Sequence, residues 1–409
     1  MAATFSIAAR DPRSLARTGV LHTAHGDVRT PAFVPLATKA TVKGLLPQEV
    51  AALGYEMVLG NTFHLMLRPG EELIERLGGL HGFMDWQRPI ITDSGGFQVF
   101  SMGHGTVADE IKARRREGGE RTGAILEIAE DGVRFRSYTD GRERFLSPEG
   151  SMAVQAALGS DIALVFDECT PFNVDRDYTA RSTERTHRWL ERCLRWHSEH
   201  GPPRQLVYGI VQGGVHEDLR RASAQVIAAS GCGGVAIGGS LGSEKAQMYE
   251  VVRFAVEELG GPHETLPRHL LGIGEIDDLI AGVELGIDTF DCAMPTRLGR
   301  HGTALMPEPD ARWRLDLAKG ASRESPEPLL EGCPCPACAR GLSRAYLSYL
   351  VRSSELTGMR LLTMHNLAFV ARLMEDLRAA ILTGRLAEVA AELRAGAAPG
   401  AVAQAGSDG

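Results

Sequence analysis

The sequence predicts an α/β fold: a (β/α)8 barrel of the TIM type, with a small cysteine-bearing subdomain near the C-terminus. Three observations support this prediction: eight short apolar runs, helix-length amphipathic stretches between them, and three clustered cysteines after the last run. Continuously apolar runs are typical of strands that are buried on both faces of a parallel sheet. Eight such strands with intervening helices favour a barrel over an open doubly wound sheet.

The eight candidate strands lie between about residues 31 and 294. In order they are PAFVPLAT, MVLGN, PIITD, DIALVFD, QLVYGIVQ, GVAIGG, HLLGIG and DTFDCAMP. Helical patterns such as LPQEVAALGY and SPEGSMAVQAALGS separate them. No G-x-G-x-x-G motif opens a helix after the first run, which argues against a dinucleotide-binding fold.

The chain of 409 residues is long enough for a barrel of about 250 residues plus an appendage. We predict a catalytic barrel over residues 1–310, with an N-terminal extension and a charged, glycine-rich insertion near 103–123. Residues 132–147 (GVRFRSYTDGRERFLS) predict a β-hairpin that turns at Asp140 and Gly141. Residues 311–395 are expected to form the subdomain and closing helices, and the small, polar residues 396–409 a disordered tail.

The composition is that of a globular enzyme, with 44% hydrophobic and 23% charged residues. The net charge of −8 argues against a protein that coats nucleic acid through bulk charge, but it leaves room for a local basic site. The chain has no run of 18 apolar residues and no apolar leader at its start, so we expect neither a membrane span nor secretion. Seven cysteines, an odd number, favour a reducing compartment, the cytoplasm.

Three aspartates each follow an apolar run: Asp93, Asp167 and Asp291. Because barrel enzymes carry their chemistry at the C-terminal ends of the strands, we expect these carboxylates to converge, although any one of them could instead cap a helix. Converging carboxylates suit a reaction at the anomeric carbon of a sugar, where one attacks and another transfers a proton. A third carboxylate could accept the N1–H and N2–H2 donors of guanine, while Gln212 and Gly239 could serve its O6. The residues alone thus indicate glycosyl transfer or hydrolysis.

The clustered cysteines are Cys333, Cys335 and Cys338, and one histidine, in the sequence MHN, follows them along the chain. Three cysteines and one histidine form a closed tetrahedral set for zinc, so we predict one structural Zn2+ per chain. Such an ion would join two segments of a subdomain too small to build a large core. The alternative is three free thiols, and spacing does not identify the fourth ligand.

Several longer motifs together resemble the bacterial tRNA-guanine transglycosylase (queuine tRNA-ribosyltransferase) family, in family order over about residues 20 to 390. They are GNTFHLMLRPG, DSGGFQVF, FDECTP, GIVQGG, FDCAMPTRLGRHG and C-x-C-x-x-C followed by MHN. The resemblance implies exchange of guanine at wobble position 34 of GUN-anticodon tRNAs for 7-aminomethyl-7-deazaguanine, in queuosine biosynthesis. The implied route is a covalent aspartyl-ribose intermediate.

The resemblance also implies roles for individual residues. Asp291 matches the nucleophile and Asp93 the general acid/base. Asp167 matches the residue that holds the N1/N2 edge of the purine, with Gln212 and Gly239 at O6.

Further roles follow from the same resemblance. Phe97 stands where bacterial members usually have a tyrosine that stacks on the base, and Leu271 covers the opposite face. Arg297 and Arg300 match positions that contact tRNA, and His365 is the fourth zinc ligand. A homodimer is expected through the C-terminal helices.

The identity of the incoming base is left open by Gly242, which stands where bacterial members usually have valine. Queuine-using enzymes also have glycine there, so queuine is the alternative to 7-aminomethyl-7-deazaguanine. Cys169 follows the bacterial pattern and favours the smaller base.

Three other interpretations compete. A glycoside or nucleoside hydrolase would use the same carboxylates, but it gives no reason for the zinc module or for Arg297 and Arg300. An inactive RNA-binding partner subunit is expected to lack Asp93 or Asp291, and both are present. An archaeal-type enzyme is expected to carry an additional C-terminal RNA-binding domain, for which no length remains.

Overall fold

The computed structural model describes residues 4–104, 125–172 and 174–401. A three-stranded antiparallel sheet comes first along the chain, made of β1 (Phe5–Arg10), β2 (Arg17–Thr23) and β3 (Gly26–Thr30). Eight parallel strands then form the central sheet. They are β4 (Ala32–Pro35), β5 (Val58–Gly60), β6 (Ile90–Thr92), β10 (Ile162–Leu164), β11 (Leu206–Val211), β12 (Gly234–Ile237), β13 (Arg268–Leu270) and β14 (Thr289–Cys292).

The central sheet closes on itself. Its strand order is β4-β14-β13-β12-β11-β10-β6-β5, and a parallel bridge between Leu36 and Leu59 joins its two edges, with the Ala37 N–H 2.7 Å from the Leu59 carbonyl. The predicted (β/α)8 barrel is therefore confirmed. Because closure leaves no free edge, every barrel strand is buried and reads as an apolar run.

Helices surround the barrel between successive strands. The first six are α1 (Pro47–Ala52), α2 (Thr62–Leu67), α3 (Glu71–Arg76), α4 (Gly79–Met84), α5 (Gly96–His104) and α6 (Pro148–Leu158). The next five are α7 (Arg176–His200), α8 (Glu217–Ala229), α9 (Lys245–Glu257), α10 (Ile276–Glu284) and α11 (Met294–Arg300). Short 3-10 helices span Gly261–His263, Pro309–Ala311 and Gly320–Ser322.

The predicted hairpin is part of a second antiparallel sheet, which consists of β7 (Ile125–Ala129), β8 (Gly132–Arg136) and β9 (Glu143–Leu146). Gly141 has a φ of +70° in the predicted turn, a conformation that favours glycine. The insertion predicted near 103–123 falls almost entirely on residues 105–124, which lie outside the described residues.

The N-terminal sheet is fastened to the N-terminal ends of the barrel strands by two buried carboxylates. Asp288, just before β14, accepts a hydrogen bond of 2.9 Å from Arg17 Nε, and both side chains are almost fully buried. Asp161, just before β10, accepts hydrogen bonds from the His25 N–H at 3.0 Å and the Ile90 N–H at 2.9 Å. These aspartates have structural partners and hold this end of the barrel together.

The C-terminal part contains β15 (Thr303–Leu305), β16 (Arg314–Asp316), α12 (Pro336–Ala339), α13 (Arg344–Arg352), α14 (Leu356–Leu382) and α15 (Leu386–Arg394). A small second core forms here, and helix α14 contributes to it through Leu362 and to the main core through Phe369. The boundary near residue 310 stays a prediction. Residues 402–409 of the predicted tail lie outside the described range. In the described part of the chain, no helix combines the length and apolarity needed to cross a membrane.

Candidate active site and metal centre

The three predicted aspartates lie at one end of the barrel. Asp93 directly follows β6, Asp167 lies three residues beyond β10, and Asp291 lies within the end of β14. Because the eight strands are parallel, these positions share the C-terminal rim, opposite to Asp161 and Asp288. No arginine or lysine in the described part of the chain forms an ion pair with any of the three, so their charges are available to a ligand.

Asp93 is held by the start of α2. Its Oδ1 accepts a hydrogen bond of 2.8 Å from the Thr62 N–H, and its Oδ2 accepts from Asn61 Nδ2 and, at 3.1 Å, from Gln98 Nε2. Burial, with a smaller contribution from the charge of Asp291, raises the pKa of Asp93 to about 7 against the effect of these hydrogen bonds. A carboxyl group with this pKa can donate and accept a proton near neutral pH, as a general acid/base must.

Asp291 is buried, and it meets two donors through a single oxygen. Its Oδ1 lies 3.1 Å from His269 Nε2 and 3.2 Å from the Gly272 N–H. The charge of Asp291 contributes to the raised pKa of Asp93, so the two carboxyl groups lie close enough to interact electrostatically. Two neighbouring carboxyl groups, one of which transfers a proton, are typical of retaining glycosyl-transfer enzymes.

Asp167 and Gln212 form a buried pair beside Asp93. Asp167 accepts hydrogen bonds from Ser94 Oγ at 3.0 Å and from Gln212 Nε2 at 2.7 Å. Burial raises the pKa of Asp167 to about 6, although both hydrogen bonds oppose the rise. Gln212 Oε1 is buried and has no hydrogen-bond partner among the described residues. A buried polar atom without a partner is costly, which makes this pair a candidate ligand-binding group.

Gly239 lies against this pair and must be glycine. Its φ is +76°, and a β-carbon would lie 2.3 Å from Gln212 Oε1. The backbone can therefore approach a ligand closely at this position.

Leu271 follows β13, and its Cδ1 would lie 3.1 Å from a β-carbon at neighbouring Gly238. Phe97 lies half-buried in the first turn of α5, four residues after Asp93.

Gly242 also has a backbone reason to be glycine. Its φ is +106°, and a β-carbon would lie 2.5 Å from Gln247 Oε1. The conformation of this loop therefore favours glycine at position 242. The role of Gly242 in the choice between queuine and the smaller base stays a prediction.

Arg220 is a residue of the site that the sequence analysis missed. It is fully buried on α8 and donates hydrogen bonds to the carbonyls of Gly214 at 2.7 Å, Gly238 at 2.7 Å and Ser240 at 2.9 Å. Burial lowers its pKa to about 10, so it stays protonated at neutral pH. Arg220 thus fixes the loops that follow β11 and β12. The sequence did contain one signal for this burial: Arg220 lies seven residues before the buried Ile227, which puts both on the same face of the helix.

A basic cluster follows two barrel strands at the C-terminal rim. Arg297 and Arg300 lie in the last turn of α11, which begins two residues after the end of β14, and Lys39 and Lys43 follow β4. The pKa of Lys43 is lowered by burial and by the charges of Arg300, Lys39 and Arg297, which shows that the four cations are close together. None of them pairs with a carboxylate in the part of the chain that the structure covers. We call these four residues the basic rim; Lys39 and Lys43 were not predicted from sequence.

The predicted metal ligands come together in the C-terminal part. His365 Nδ1 lies 3.8 Å from Cys333 Sγ and 3.5 Å from both Cys335 Sγ and Cys338 Sγ. A tetrahedral zinc ion with ordinary bond lengths places its nitrogen and sulfur ligands about 3.6 Å apart. His365 Nε2 lies 2.8 Å from the Leu305 carbonyl and donates to it, which leaves Nδ1 as the metal-binding atom. These residues therefore fit a metal site with a full protein shell.

An exposed apolar surface lies on α13 and at the start of α14. Tyr349 is 63% exposed and Leu356 is 74% exposed, and Tyr346 lies beside them on α13. Large exposed apolar side chains in one region are typical of a protein interface.

Comparisons with known proteins identify the family of this chain. The sequence model of a family described as "Queuine tRNA-ribosyltransferase" matches residues 11–398. A protein named queuine tRNA-ribosyltransferase from Roseiflexus sp. (strain RS-1) is 51% identical over 403 residues, which cover 96% of this chain and 99% of the relative. Proteins of the same name from Pelotomaculum thermopropionicum and Symbiobacterium thermophilum are 46% and 45% identical, covering 94% and 95% of this chain and 96% and 90% of their own lengths.

Proposed function

Because this chain belongs to the bacterial queuine tRNA-ribosyltransferase family and is a tRNA-guanine transglycosylase, we propose that it exchanges guanine at wobble position 34 of GUN-anticodon tRNAs for 7-aminomethyl-7-deazaguanine. This exchange is a step of queuosine biosynthesis. The observation that carries the proposal is the pair of Asp93 and Asp291 at the barrel rim, which interact electrostatically and form no ion pair with arginine or lysine among the described residues.

The proposed reaction has two displacements at C1′ of the target ribose. The nucleotide first leaves its stack and enters the site. A lone pair of the Asp291 carboxylate forms a bond to C1′, the C1′–N9 bond breaks, and its electron pair goes to the guanine, which takes a proton from Asp93. The incoming base then gives a proton to Asp93 and attacks C1′ through N9, and the ester bond to Asp291 breaks. Two inversions give net retention.

Base recognition rests on the buried pair of Asp167 and Gln212. The carboxylate of Asp167 accepts hydrogen bonds from N1–H and N2–H2 of the purine. When the purine replaces Gln212 as the partner of Asp167, the Gln212 amide is free to turn and donate to O6. The Gly239 N–H supplies a second donor at O6. Phe97 and Leu271 cover the two faces of the base, and an aromatic ring supports stacking without a hydroxyl group.

Base exchange into a GUN-anticodon tRNA tests the proposal directly. Labelled guanine, 7-aminomethyl-7-deazaguanine and queuine are offered in parallel to the purified protein, and incorporation at position 34 is measured. We expect guanine and 7-aminomethyl-7-deazaguanine to be incorporated. Preference for queuine would replace the proposed incoming base, and release of guanine with an abasic tRNA would indicate a hydrolase.

The metal and the partner chain complete the proposal. One structural Zn2+ is held by Cys333, Cys335, Cys338 and His365, where it ties α12 to α14 and takes no part in the chemistry. Two chains form a homodimer through the apolar surface around Tyr349 on α13. Light scattering of the purified protein measures its molar mass and so tests this. A tRNA substrate places the activity in the cytoplasm.

Substitution of Asp93 with asparagine is expected to change how stability depends on pH. The pKa of Asp93 is about 7 in the folded protein and about 3.9 in an unfolded chain. Between these values the folded state binds more protons, so the contribution of Asp93 to the free energy of unfolding falls as the pH rises. The free energy of unfolding of Asp93→Asn relative to wild type should therefore rise between about pH 5 and pH 7 and level off above pH 8. Urea unfolding across this range measures it, and a flat difference would contradict the raised pKa.

Substitution of Arg300 with alanine is expected to weaken tRNA binding without impairing use of the free base. Each phosphate contact that is lost reduces the slope of log Kd against log salt by about one. Filter binding of a GUN-anticodon tRNA at several salt concentrations measures the slope, and base exchange at saturating tRNA measures kcat. Arg385→Ala, an exposed arginine at the start of α15, is the matched control and should leave both unchanged. An unchanged slope for Arg300→Ala would remove this residue from the tRNA contact.

A further inference from the structure

We propose that His269 is the positioning residue of the nucleophile, and that it leaves Asp291 Oδ2 as the oxygen that attacks C1′. This inference rests on the proposed covalent mechanism. His269 lies on β13, next to β14 in the barrel, and its side chain is 0% exposed. It is the only basic side chain within 4 Å of the Asp291 carboxylate in the described part of the chain.

Both ring nitrogens of His269 have a polar contact, and the contact with Asp291 places a hydrogen on Nε2. His269 Nδ1 lies 2.8 Å from Thr289 Oγ1, and His269 Nε2 lies 3.1 Å from Asp291 Oδ1. The carboxylate can only accept, so Nε2 carries the hydrogen. The hydroxyl of Thr289 contacts the other ring nitrogen, Nδ1, so both ends of the imidazole ring are held. Alternate residues of β14, Thr289 and Asp291, thus hold the two ends of the same ring.

Both donors to the nucleophile converge on one oxygen. The Gly272 N–H reaches the same Oδ1 at 3.2 Å. Among the described residues, no hydrogen bond is made to Asp291 Oδ2, so its lone pairs stay free. A carboxylate held through Oδ1 cannot turn that oxygen toward the ribose without losing two hydrogen bonds. Oδ2 is therefore the atom presented to the substrate.

The electron balance of the ester step agrees with this assignment. A lone pair of Oδ2 forms the bond to C1′, the electrons of the C1′–N9 bond leave with guanine, and Oδ1 becomes the carbonyl oxygen of the ester. His269 and Gly272 keep their hydrogen bonds to Oδ1 throughout. When the incoming base displaces the ester, the electrons of the C1′–Oδ2 bond return to the carboxylate, and the two N–H groups stabilise the share of the charge on Oδ1. His269 moves no proton in either step.

Three substitutions separate this role from a purely structural one. His269→Phe removes the donor, and His269→Gln retains an N–H at nearly the same reach as Nε2. Thr289→Val removes only the hydroxyl that holds the other end of the imidazole ring. A hydrogen bond to a charged group is worth about one to two factors of ten in rate. We expect kcat for guanine exchange to fall about 10- to 100-fold in His269→Phe and less in Thr289→Val. His269→Gln should recover most of kcat. The KM values for tRNA and guanine should stay within about twofold throughout.

The measurements are guanine exchange with a GUN-anticodon tRNA, the rate of covalent adduct formation on denaturing gels, and the melting temperature of each variant. Wild-type kcat in His269→Phe, or equal losses in folded His269→Phe and His269→Gln, would overturn the proposal. If His269→Phe does not fold, the proposal is tested with Thr289→Val and His269→Gln. An unchanged kcat in Thr289→Val would also overturn the proposal. Absence of adduct and exchange in the wild-type protein would instead overturn the proposed function, and this inference with it.

Discussion

Replacing Asp291 with alanine is expected to abolish base exchange and the covalent adduct with tRNA. Without the carboxylate no ester to C1′ can form, and loss of a nucleophile lowers kcat by about four to six orders of magnitude. Incorporation of labelled guanine and the tRNA adduct on a denaturing gel measure the effect. Binding of tRNA should change little, whereas the melting temperature should fall, because His269 Nε2 and the Gly272 N–H lose their shared acceptor.

The matched control is Asp291→Asn, which keeps the size of the side chain and an oxygen that can accept from His269 and Gly272. This variant should be equally inactive, since an amide oxygen is a poor nucleophile, and it should fold as well as the wild-type protein. A surviving adduct in either variant would show that another carboxylate attacks, with Asp93 as the nearest candidate.

Replacing Cys335 with serine is expected to lower the metal content to well below one zinc per chain and to destabilise the C-terminal part. Cys335 is fully buried, and its Sγ also accepts a hydrogen bond from the Cys338 N–H at the start of α12. Loss of a structural metal is among the most costly single substitutions, so the melting temperature should fall by about 10 °C or more. Elemental analysis and thermal unfolding measure the two effects.

Cys232→Ser is the control for this substitution. Cys232 is a buried thiol of the barrel, 3.1 Å from the Gly234 carbonyl, and a serine hydroxyl can make the same hydrogen bond. The control should keep one zinc per chain. Stoichiometric zinc in Cys335→Ser would show that the ligand set is wrong.

The barrel could be predicted from sequence because closure buries its strands on both faces. This burial produces continuous apolar runs such as DIALVFD, in which only Ile162–Leu164 forms the strand itself. Because parallel strands share one direction, the residues at the end of each apolar run could also be assigned to the C-terminal end of the barrel. The sequence therefore predicts that Asp93 and Asp291 lie at the same end of the barrel.

The side chains that contact each aspartate could not be predicted from sequence, because these contacts join segments that are distant along the chain. Asp288 and Asp291 are three residues apart, yet one is buried against Arg17 at one end of the barrel and the other lies at the opposite rim. Local sequence does not distinguish them. Similarly, nothing local identifies His269 as the partner of Asp291, because their contact crosses from one strand to the next.

The closure of the barrel has a consequence for synthesis of the protein. Strand β4 pairs with β14, so that Ala32 lies opposite Thr289. Arg17 and its partner Asp288 are separated by 271 residues in the sequence. A nascent chain on the ribosome therefore carries an unsatisfied arginine and an open strand edge until nearly three quarters of its length has been translated. Exposed edges of this kind invite aggregation, so this enzyme should depend on chaperones during translation more than a protein of equal size with local contacts. The same late event delivers the nucleophile, so no truncated product that ends before β14 has a complete active site.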